Sequence, residues 1–398
     1  MASVASISQG SPSVANFNSA QVLNTIVKQA TGQSAIAGVD TGSFVSVANV
    51  ALGISADALL GAISQVLTRT IFSIRPYTRK FKGLYKDSLA YGNHVRKLNI
   101  GDKEFENDDR YDLVDGESVD AQIVSKPDIL QTNIYGQNVY SKHITIFRDQ
   151  LNIALSSEEE FQRFITMLMS NASDMIEQAH ESTARATLAN YINGKVVGDI
   201  ENVIHLVTEY NDITGLALDS DTVRKPENFV PFCKWMFGRI MGLSKLMTER
   251  SLQFHTNITG HNIMRHTPTD RQKLYLFAPD MINIDTSVLS GVFHDEYLKL
   301  LDYEAVNFWQ SIETPMGINN KPKYLLANGQ TTSPAAEKAT SNIMGVLFDD
   351  EAIGINTVAE WSSPTPFNAR GGYSNIWWHF NDRYYNDFTE NGLVFLLD

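Results

Sequence analysis

The sequence predicts an α+β protein organised around one unusually long helix, and three observations lead to that prediction. Residues 156–194 carry apolar side chains at helical spacing, with no Pro and no Gly before Gly194. Segments with the alternation of β-strands flank this stretch, as at Val139–Phe147. No second helical stretch of matching length is present, which argues against a coiled coil and favours a spine on which sheets pack.

The amino-terminal 54 residues are predicted to form an arm. They are rich in Ser, Ala, Gly and Val, and Lys28 and Asp40 are their only charged residues. Such a segment cannot build a core of its own, yet it is too apolar to resemble a typical disordered tail. We therefore expect residues 1–54 to lie on the body of the protein or on a neighbouring subunit. A short helix within residues 55–71 is expected to begin the body.

Residues 72–147 are predicted to form a long β-hairpin with opposite charges at its two ends. Its root, Arg75–Lys86, holds five basic residues and no acid, whereas Asp102–Glu117 at the tip holds eight acids against two bases. Because the hairpin offers no large apolar face, we expect it to project from the body and to need an external surface. The order Asp112, Asp115, Gly116 lacks the alternating ligand spacing of an EF-hand, so a solvated or partner-facing tip is the better explanation.

The long helix is predicted to run from Ser156 to Gly194. Glu159 and Glu160 follow Ser156 and Ser157 by three residues, which is the capping-box pattern. Gly194 is expected just past the end, in the left-handed conformation that closes many helices. The apolar stripe changes from bulky to alanine-rich residues, which predicts a close neighbour along its second half. The stripe consists of Phe161, Phe164, Ile165, Leu168, Ala172, Met175, Ile176, Ala179, Ala186, Ala189 and Ile192.

The remainder of the chain is predicted to complete the body in three parts. Residues 148–224 contain the long helix, and residues 225–342 form a compact α/β region that begins with a helix at Asn228–Arg250. Residues 343–398 begin with a strand at Ile343–Phe348 and a turn at Asp349–Ala352. They end with an aromatic run and a strand at Leu393–Leu397. We expect this last strand to be tied into a sheet and the carboxy-terminal segment to pack on the long helix.

Composition and charge exclude several classes of protein. The net charge of −13 argues against a general nucleic-acid binder. The single cysteine, Cys233, excludes an intramolecular disulfide framework and indicates synthesis in a reducing cytoplasm. Met1–Gly10 lacks the pattern of a secretory signal, and the apolar stretch Phe44–Ile63 is too rich in Gly, Ala and Ser to favour a membrane span.

The sequence contains no motif typical of catalysis. Walker-type glycine loops, G-x-S-x-G, H-E-x-x-H and paired cysteines are all absent from the chain. His255, His261 and His266 are spaced by six and five residues, which does not place three metal ligands on one helix face. Asp349 and Asp350 are adjacent on a strand and point to opposite faces, so they cannot flank one glycosidic bond.

The aromatic run Trp377–Phe388 leaves two interpretations. Its rings could stack a sugar, but packing between sheet and spine is favoured because large aromatic side chains dominate burial energetics. We therefore predict no catalytic, cofactor-binding or metal-binding residues, no cofactor and no enzyme activity.

Several motifs resemble those of one viral family. They are R-P-Y-T-R-K-F-K-G-L from Arg75, G-V-L-F-D-D-E-A-I-G-I from Gly345, N-A-R-G-G-Y-S-N-I-W-W-H-F from Asn368 and D-F-T-E-N-G-L-V-F-L-L from Asp387. Together with the spine, hairpin and arm, they resemble the Hong Kong 97-type major capsid proteins of tailed phages. Over residues 50–398 they are most similar to the head proteins of small short-tailed phages of the picovirus group. Some members of that group append an immunoglobulin-like domain after the final strand, whereas this chain is expected to end at that strand.

The resemblance implies a structural protein of the virion, made in the host cytoplasm. Copies are expected to self-assemble into hexamers and pentamers of an icosahedral shell around double-stranded DNA, without sequence-specific contact and without a membrane. The portal protein, and scaffold or head-fibre proteins, are the further partners implied. The family's architecture implies an N-terminal arm (1–54), an extended loop (72–147), an axial domain (225–342) and a peripheral domain formed by 55–71, 148–224 and 343–398.

Two other functions remain open from the sequence. One is a carbohydrate-binding or carbohydrate-active protein that uses the aromatic run at Trp377–Tyr385. The other is a cellular nanocompartment shell with the same fold, which would enclose a cargo enzyme in place of a genome.

Overall fold

The computed structural model describes residues 77–86, 95–101, 112–118, 128–134, 138–261, 263–288 and 303–398, together with Val47, Gln122, Val124 and Lys126. The predicted arm and the short helix at 55–71 therefore fall almost entirely outside the described residues. The helices within the longer described ranges are α1 Arg148–Ala154, α2 Glu158–Gly198, α3 Leu206–Thr214, α4 Pro226–Leu246 and α5 Ala278–Val288.

The strands of the described ranges are mostly short, and three of them have ten or more residues. They are β1 Tyr85–Lys86, β2 Val95–Ile100, β3 Ile129–Ile134, β4 Asn138–Phe147, β5 Val203–His205, β6 Gln272–Phe277, β7 Tyr303–Val306, β8 Ile318–Asn320, β9 Tyr324–Leu325, β10 Thr331–Thr332, β11 Lys338–Thr340, β12 Ile343–Asp349, β13 Ile353–Pro364, β14 Tyr373–Asn386 and β15 Gly392–Leu396. The predicted strands at 139–147, 343–348 and 393–397 are confirmed to within a residue.

The long helix is present as α2, a 41-residue element, so the α+β architecture with a spine helix is confirmed. Ser157 caps its amino terminus, because the Ser157 Oγ accepts a hydrogen bond of 3.2 Å from the Glu160 backbone N–H. The alanine-rich second half is the more buried half, as predicted, but Ala186 of the predicted stripe is exposed. Its fully enclosed apolar residues are Ala184, Leu188, Ala189, Tyr191 and Ile192.

The predicted end of this helix at Gly194 is wrong. The helix continues for another turn to Gly198, and Gly194 lies inside it. A Cβ atom at Gly194 would come within 2.5 Å of Phe388 Cζ, which shows that the glycine is needed for close approach and not for a left-handed turn.

A five-stranded sheet forms the centre of the larger core, in the order β5–β15–β12–β6–β7. Strand β12 pairs antiparallel with β15 and β6, so that Val346 lies opposite both Val394 and Tyr275. All residues of β12 and β15 are buried. The predicted insertion of the last strand into a sheet is therefore confirmed.

Helices α3 and α4 cover this sheet with an apolar face. Phe232, Met236, Ile240 and Leu243 recur at helical spacing on α4 and are buried together with sheet residues such as Leu276. The opposite face of α4 is exposed, and both of its glycines have open space where a side chain would stand.

A second sheet has the order β1–β13–β14–β4. Strand β14 pairs antiparallel with β4 from Tyr373 opposite Phe147 to Asp382 opposite Asn138. Its side chains alternate between the two faces, so Trp378 and Phe380 are buried while Trp377 and His379 lie on the more exposed face.

The described residues belong to two compact units. The first contains those up to Lys82, Asn138–Ser182 and Thr357–Asp382. The second contains those within Gly83–Gln137, Thr183–Asn356 and Arg383–Asp398. The helix α2 and the strands β13 and β14 contribute residues to both units.

Candidate assembly surfaces

The root of the predicted hairpin lies along an acidic face of the spine helix. Three successive acids on one face of α2 accept hydrogen bonds from backbone N–H groups of the root, because positions i, i+3 and i+7 line up on a helix. The bonds join Tyr77 N to Asp174 Oδ1 (2.7 Å), Arg79 N to Glu177 Oε2 (3.1 Å) and Lys80 N to Glu181 Oε2 (3.0 Å). The root is therefore positioned through its backbone.

The basic residues of the root differ in their surroundings. Phe81 and Leu84 are buried and anchor the segment, while Lys86 Nζ pairs with Asp350 Oδ1 at 2.5 Å. In contrast, Lys80 and Lys82 are exposed and form no ion pair with any of the described residues. These two ammonium groups make the root a cationic surface.

The described part of the tip presents acidic side chains to solvent. Asp112, Asp115 and Glu117 are exposed, and Gly116 has a φ of +100°. The turn is closed by a hydrogen bond of 3.0 Å from Glu117 N to Val114 O. The prediction of a charged, solvated or partner-facing tip agrees with this geometry.

Between root and tip, the hairpin is attached to its own body by a buried ion cluster. Lys97 on β2 reaches the segment that follows β14, with Nζ at 2.7 Å from Asp387 Oδ2 and 2.5 Å from Glu390 Oε1. Both carboxylates are almost fully buried, and the more exposed Glu351 lies 3.6 Å from the same nitrogen. Two desolvated carboxylates therefore share the ammonium group of Lys97.

The ionisation of this cluster follows from the balance of burial and pairing. Burial opposes ionisation of Asp387, but the Lys97 ammonium and hydrogen bonds from Lys97 and Thr389 outweigh it and lower the pKa of Asp387. At Glu390, burial outweighs attraction by Lys97 and Arg265, so the pKa of Glu390 is raised. Burial also disfavours the charged form of Lys97, yet the two carboxylates raise its pKa.

Two further contacts fasten the same face of the hairpin. Arg265 Nη2 donates a hydrogen bond of 2.8 Å to Asn99 Oδ1 and lies 3.1 Å from Glu390 Oε1. Nearer the tip, His261 Nδ1 lies 2.6 Å from Asp128 Oδ2. The described strands β2 and β3 therefore lie on their own subunit, so the expectation that this part projects freely is wrong. Local sequence patterns do not indicate these contacts, because the partners are separated by up to 293 residues.

A second buried polar cluster joins the end of the spine to the carboxy-terminal segment. Lys195 is fully buried and its Nζ lies 2.6 Å from Asp199 Oδ2, which also accepts a hydrogen bond from Thr256. The neighbouring Tyr191 ring stacks on Phe388 at 5.3 Å, which confirms the predicted packing of the last segment on the spine. His255 is buried beside these groups. Its pKa is lowered to about 4, mainly by burial and also by the positive charges of Lys195 and Arg265.

The aromatic residues of β14 lie on both faces of the sheet: one set is buried, and the other forms a stack of rings on the more exposed face. Across the outer face of the sheet, rings lie nearly parallel with centroid distances of 4.4 Å for His143–Trp377 and 4.0 Å for Trp361–His379. Trp377 and His379 are 6.1 Å apart. Because the ring faces stack on one another, this arrangement favours cross-strand stabilisation over a platform for sugar rings.

The histidines considered as metal ligands have separate environments. His255 is buried, His261 pairs with Asp128, and His266 is exposed. Within the ranges that the structure describes, no group of three or more His, Cys, Asp and Glu side chains is arranged to hold a metal ion. The same ranges contain no helix that is both long enough and apolar enough to cross a membrane.

The paired aspartates at the end of β12 form a turn, as predicted. Ala352 N donates a hydrogen bond of 2.8 Å to Asp349 O, and Asp349 Oδ2 accepts one of the same length from Thr267 Oγ1. Asp350 instead pairs with Lys86 and Lys273, which outweigh the effect of burial and lower the pKa of Asp350. These carboxylates serve structural ion pairs and hydrogen bonds.

Solved structures of phage capsids share this fold. The capsid structure of Staphylococcus phage Andhra superimposes with a TM-score of 0.54 at 9% identity and covers 82% of this chain and 86% of that chain. A structure of the head fibre and inner core protein gp22 of native bacteriophage P68 gives a TM-score of 0.55 at 10% identity, covering 81% and 85%. None of the curated protein sequences compared matches the chain.

The sequence profile of one family matches almost the whole chain. It is described as the Phi29-like phage major capsid protein family, and the match spans residues 23–396. That span includes the spine, the hairpin with its charged root and tip, and the carboxy-terminal return strand. This chain belongs to the Phi29-like phage major capsid protein family and is therefore a structural protein of the phage virion, not an enzyme.

Proposed function

We propose that copies of this chain assemble into hexamers and pentamers of an icosahedral shell that encloses double-stranded DNA. The observation that carries the proposal is the family match over residues 23–396. The exposed lysines of the root and the exposed acids of the tip supply surfaces of opposite charge for such an assembly. We also infer that the architecture is of the Hong Kong 97 type and closest to the picovirus group, on the motifs quoted above.

In this proposal each part of the chain has a place in the capsomer. Residues 72–147 form the extended loop, and residues 225–342 form the axial domain at the capsomer centre. The spine helix and the final strands belong to the peripheral domain, together with residues 55–71. Residues 1–54 form an arm on the body or on a neighbouring subunit.

The acidic character of the chain is consistent with a container for DNA. Each chain has a net charge of −13, so the shell binds the packaged DNA only weakly, and counterions neutralise the DNA phosphates. Further partners in the proposal are a portal protein and, in addition, scaffold or head-fibre proteins. The structure from phage P68 contains a head fibre, which makes a head-fibre protein a natural candidate to test.

Microscopy of the purified protein tests the central claim. The full-length chain is imaged by negative stain over a range of concentrations, and shells of uniform size are expected. A well-behaved monomer at high concentration would contradict self-assembly by the chain alone, and the same imaging with a co-expressed scaffold protein then decides whether assembly needs a partner.

Particle contents distinguish a genome container from a nanocompartment. Particles are recovered from infected cells, treated with nuclease and then opened. Protected double-stranded DNA is the expected content. A cargo enzyme without DNA would favour the nanocompartment instead.

A further inference from the structure

The chain contains three Asn-Gly pairs, which are prone to one spontaneous reaction. They are Asn193–Gly194, Asn328–Gly329 and Asn391–Gly392. In such a pair the backbone nitrogen of the glycine, which has no side chain to shield it, can attack the Cγ atom of the asparagine. A five-membered ring closes and ammonia leaves. The surroundings of each pair in the fold decide whether it can react.

Helix α2 protects the first pair. Asn193 is fully buried, and its Nδ2 donates hydrogen bonds to Asn320 Oδ1 at 2.8 Å and to Lys338 O at 2.9 Å. Gly194 lies inside the helix, so its N–H belongs to the ladder of i→i−4 hydrogen bonds. Both reacting groups are therefore engaged elsewhere, and the buried side chain has no access to water.

The carboxy-terminal strand protects the third pair. Asn391 is also fully buried, and its Nδ2 donates a hydrogen bond of 3.1 Å to Thr267 Oγ1. Gly392 begins β15, a strand buried at every residue, and its N–H donates to Phe254 O at 2.8 Å. The strand holds the backbone extended, so the glycine nitrogen is not free to approach the side chain of Asn391.

The second pair lies in the exposed loop between β9 and β10. A hydrogen bond of 2.9 Å from Gly329 N to Leu326 O closes the turn, and Gly329 has a φ of +79°. Asn328 is exposed, and its Oδ1 accepts a hydrogen bond of 2.9 Å from Gln330 N. An asparagine bonded to the backbone two residues further on folds its side chain over the intervening peptide group. That peptide group contains the nitrogen that attacks.

The same hydrogen bond from Gln330 favours the reaction electrostatically. When Gly329 N attacks Asn328 Cγ, negative charge develops on Oδ1, and a donor already bonded to that oxygen stabilises the charge. The bond from Gly329 N to Leu326 O has to break, because the nitrogen attacks only after losing its proton. The reaction therefore becomes faster as the pH rises.

We propose that Asn328 is a site of spontaneous deamidation in the folded protein, whereas Asn193 and Asn391 are protected by the fold. A bond forms between Gly329 N and Asn328 Cγ, and the Cγ–Nδ2 bond breaks. Ammonia leaves with the proton that Gly329 N has given up. One water molecule then opens the succinimide ring. Opening at Cγ gives aspartate, and opening at the original peptide carbonyl gives isoaspartate.

The reaction changes the loop irreversibly. In the succinimide, Gly329 N has no proton left to donate to Leu326 O. Both final products add a carboxylate, and isoaspartate also lengthens the backbone by one carbon. The pairing of β9 with β10 covers only two residues on each strand, so little else holds this hairpin together. Its turn is therefore expected to be altered in aged copies of the protein.

Peptide mapping by mass spectrometry tests the proposal on the full-length chain. The folded protein and the same protein in concentrated urea are kept in a mildly alkaline buffer for equal times. In urea all three pairs should form isoaspartate, which shows that each is chemically competent. In the folded protein, Asn328 is expected to be the only one of the three that converts, and it should convert faster at higher pH.

Asn328→Gln is the matched control, because its longer side chain closes a six-membered ring far more slowly. This variant should lose the isoaspartate that the folded wild type forms at the three pairs. An Asn328 amide that stays intact in the folded protein while the urea sample converts would overturn the proposal, as would equal rates at Asn193 or Asn391. Aspartate without isoaspartate at Asn328 would also overturn it, since direct hydrolysis of the amide gives aspartate alone.

Discussion

At the scale of single residues, Lys97 joins the hairpin to a distant part of the chain. Its ammonium group lies between Asp387 and Glu390, two carboxylates with little access to water. A buried ion pair adds little net stability compared with well-packed apolar side chains of the same volume. Removing one partner, however, leaves an unpaired charge in the protein interior, which is strongly destabilising. The attachment of the hairpin therefore depends on both partners being present together.

Replacing Lys97 is expected to be costly. Lys97→Met removes the lysine partner of buried Asp387 and leaves Glu390 with Arg265 alone, which should lower the free energy of unfolding by about 3–5 kcal/mol. Lys142→Met on β4 serves as the control, because that exposed lysine should change stability by no more than about 0.5 kcal/mol. Urea denaturation of the unassembled subunit measures both, and equal midpoints for the two variants would contradict the role given to Lys97.

His255 predicts a loss of stability in acid. The pKa of His255 is about 4 in the folded protein, below its ordinary value of 6.5. At a pH between these two values, His255 is protonated in the unfolded chain and neutral in the folded protein. Stability from this group is therefore complete above pH 6.5 and is lost as the pH falls. From pH 7 to pH 5 the loss should amount to about 2 kcal/mol.

The His255→Gln variant isolates this effect. Its free energy of unfolding should fall less steeply between pH 7 and pH 5 than that of the wild type, whatever its stability at pH 7. Parallel pH profiles for the two proteins, measured by urea denaturation, would show that the unfolded and folded states protonate His255 alike.

At the scale of elements, the glycines of helices α2 and α4 differ in their packing. Gly194 in α2 gives space to Phe388, whose ring also stacks on Tyr191 and has little freedom to move. Gly238 in α4 has no heavy atom within 4 Å of the place where a Cβ would stand. Only the first glycine is required by packing within the described residues.

Alanine at these two positions should therefore act in opposite directions. Gly238→Ala should stabilise the protein by about 0.5–1 kcal/mol, since alanine is the better helix former. Gly194→Ala should destabilise it by about 1–3 kcal/mol because of overpacking against Phe388. Thermal melting of both variants tests the pair. If the smaller side chain of Phe388→Leu fails to recover any stability in the Gly194→Ala background, steric crowding by Phe388 is not the cause.

At the scale of the whole molecule, opposite charges at the root and tip are proposed to meet between subunits. Each exposed pair contributes only about 0–1 kcal/mol, so the effect must come from repetition around a shell. Salt should weaken it, because the Debye length falls to about 3 Å at 1 M ionic strength.

Charge reversal at the tip tests this contact. Asp115→Lys with Glu117→Lys should give a folded subunit that assembles poorly, and adding Lys80→Glu with Lys82→Glu should restore part of the shell yield. Light scattering against ionic strength measures assembly. Asp212→Lys with Glu249→Lys changes the net charge equally at exposed sites elsewhere. A defect of the same size in that control would mean that net charge, and not the tip, is responsible.

The sequence by itself determined the features that depend on local order. The long periodicity and the serine cap at Ser157 predicted the spine, alternation predicted β4, and the strands predicted at Ile343–Phe348 and Leu393–Leu397 are β12 and β15. Neighbouring residues specify these structures through backbone geometry and hydrophobic pattern. The motif D-F-T-E-N at Asp387 contributed to the resemblance to capsid proteins, although its chemical role was not evident from the sequence.

Only the tertiary structure decided which distant groups meet. It assigned Asp387 and Glu390 to Lys97, placed Gly194 under Phe388 and extended the helix to Gly198. It also joined the hairpin to its own subunit through Lys97 and Asn99 and left Leu98, Ile100 and Ile129 exposed on the other face. These outcomes depend on the free energy of burying charge and on packing between segments up to 293 residues apart, which local periodicity does not encode.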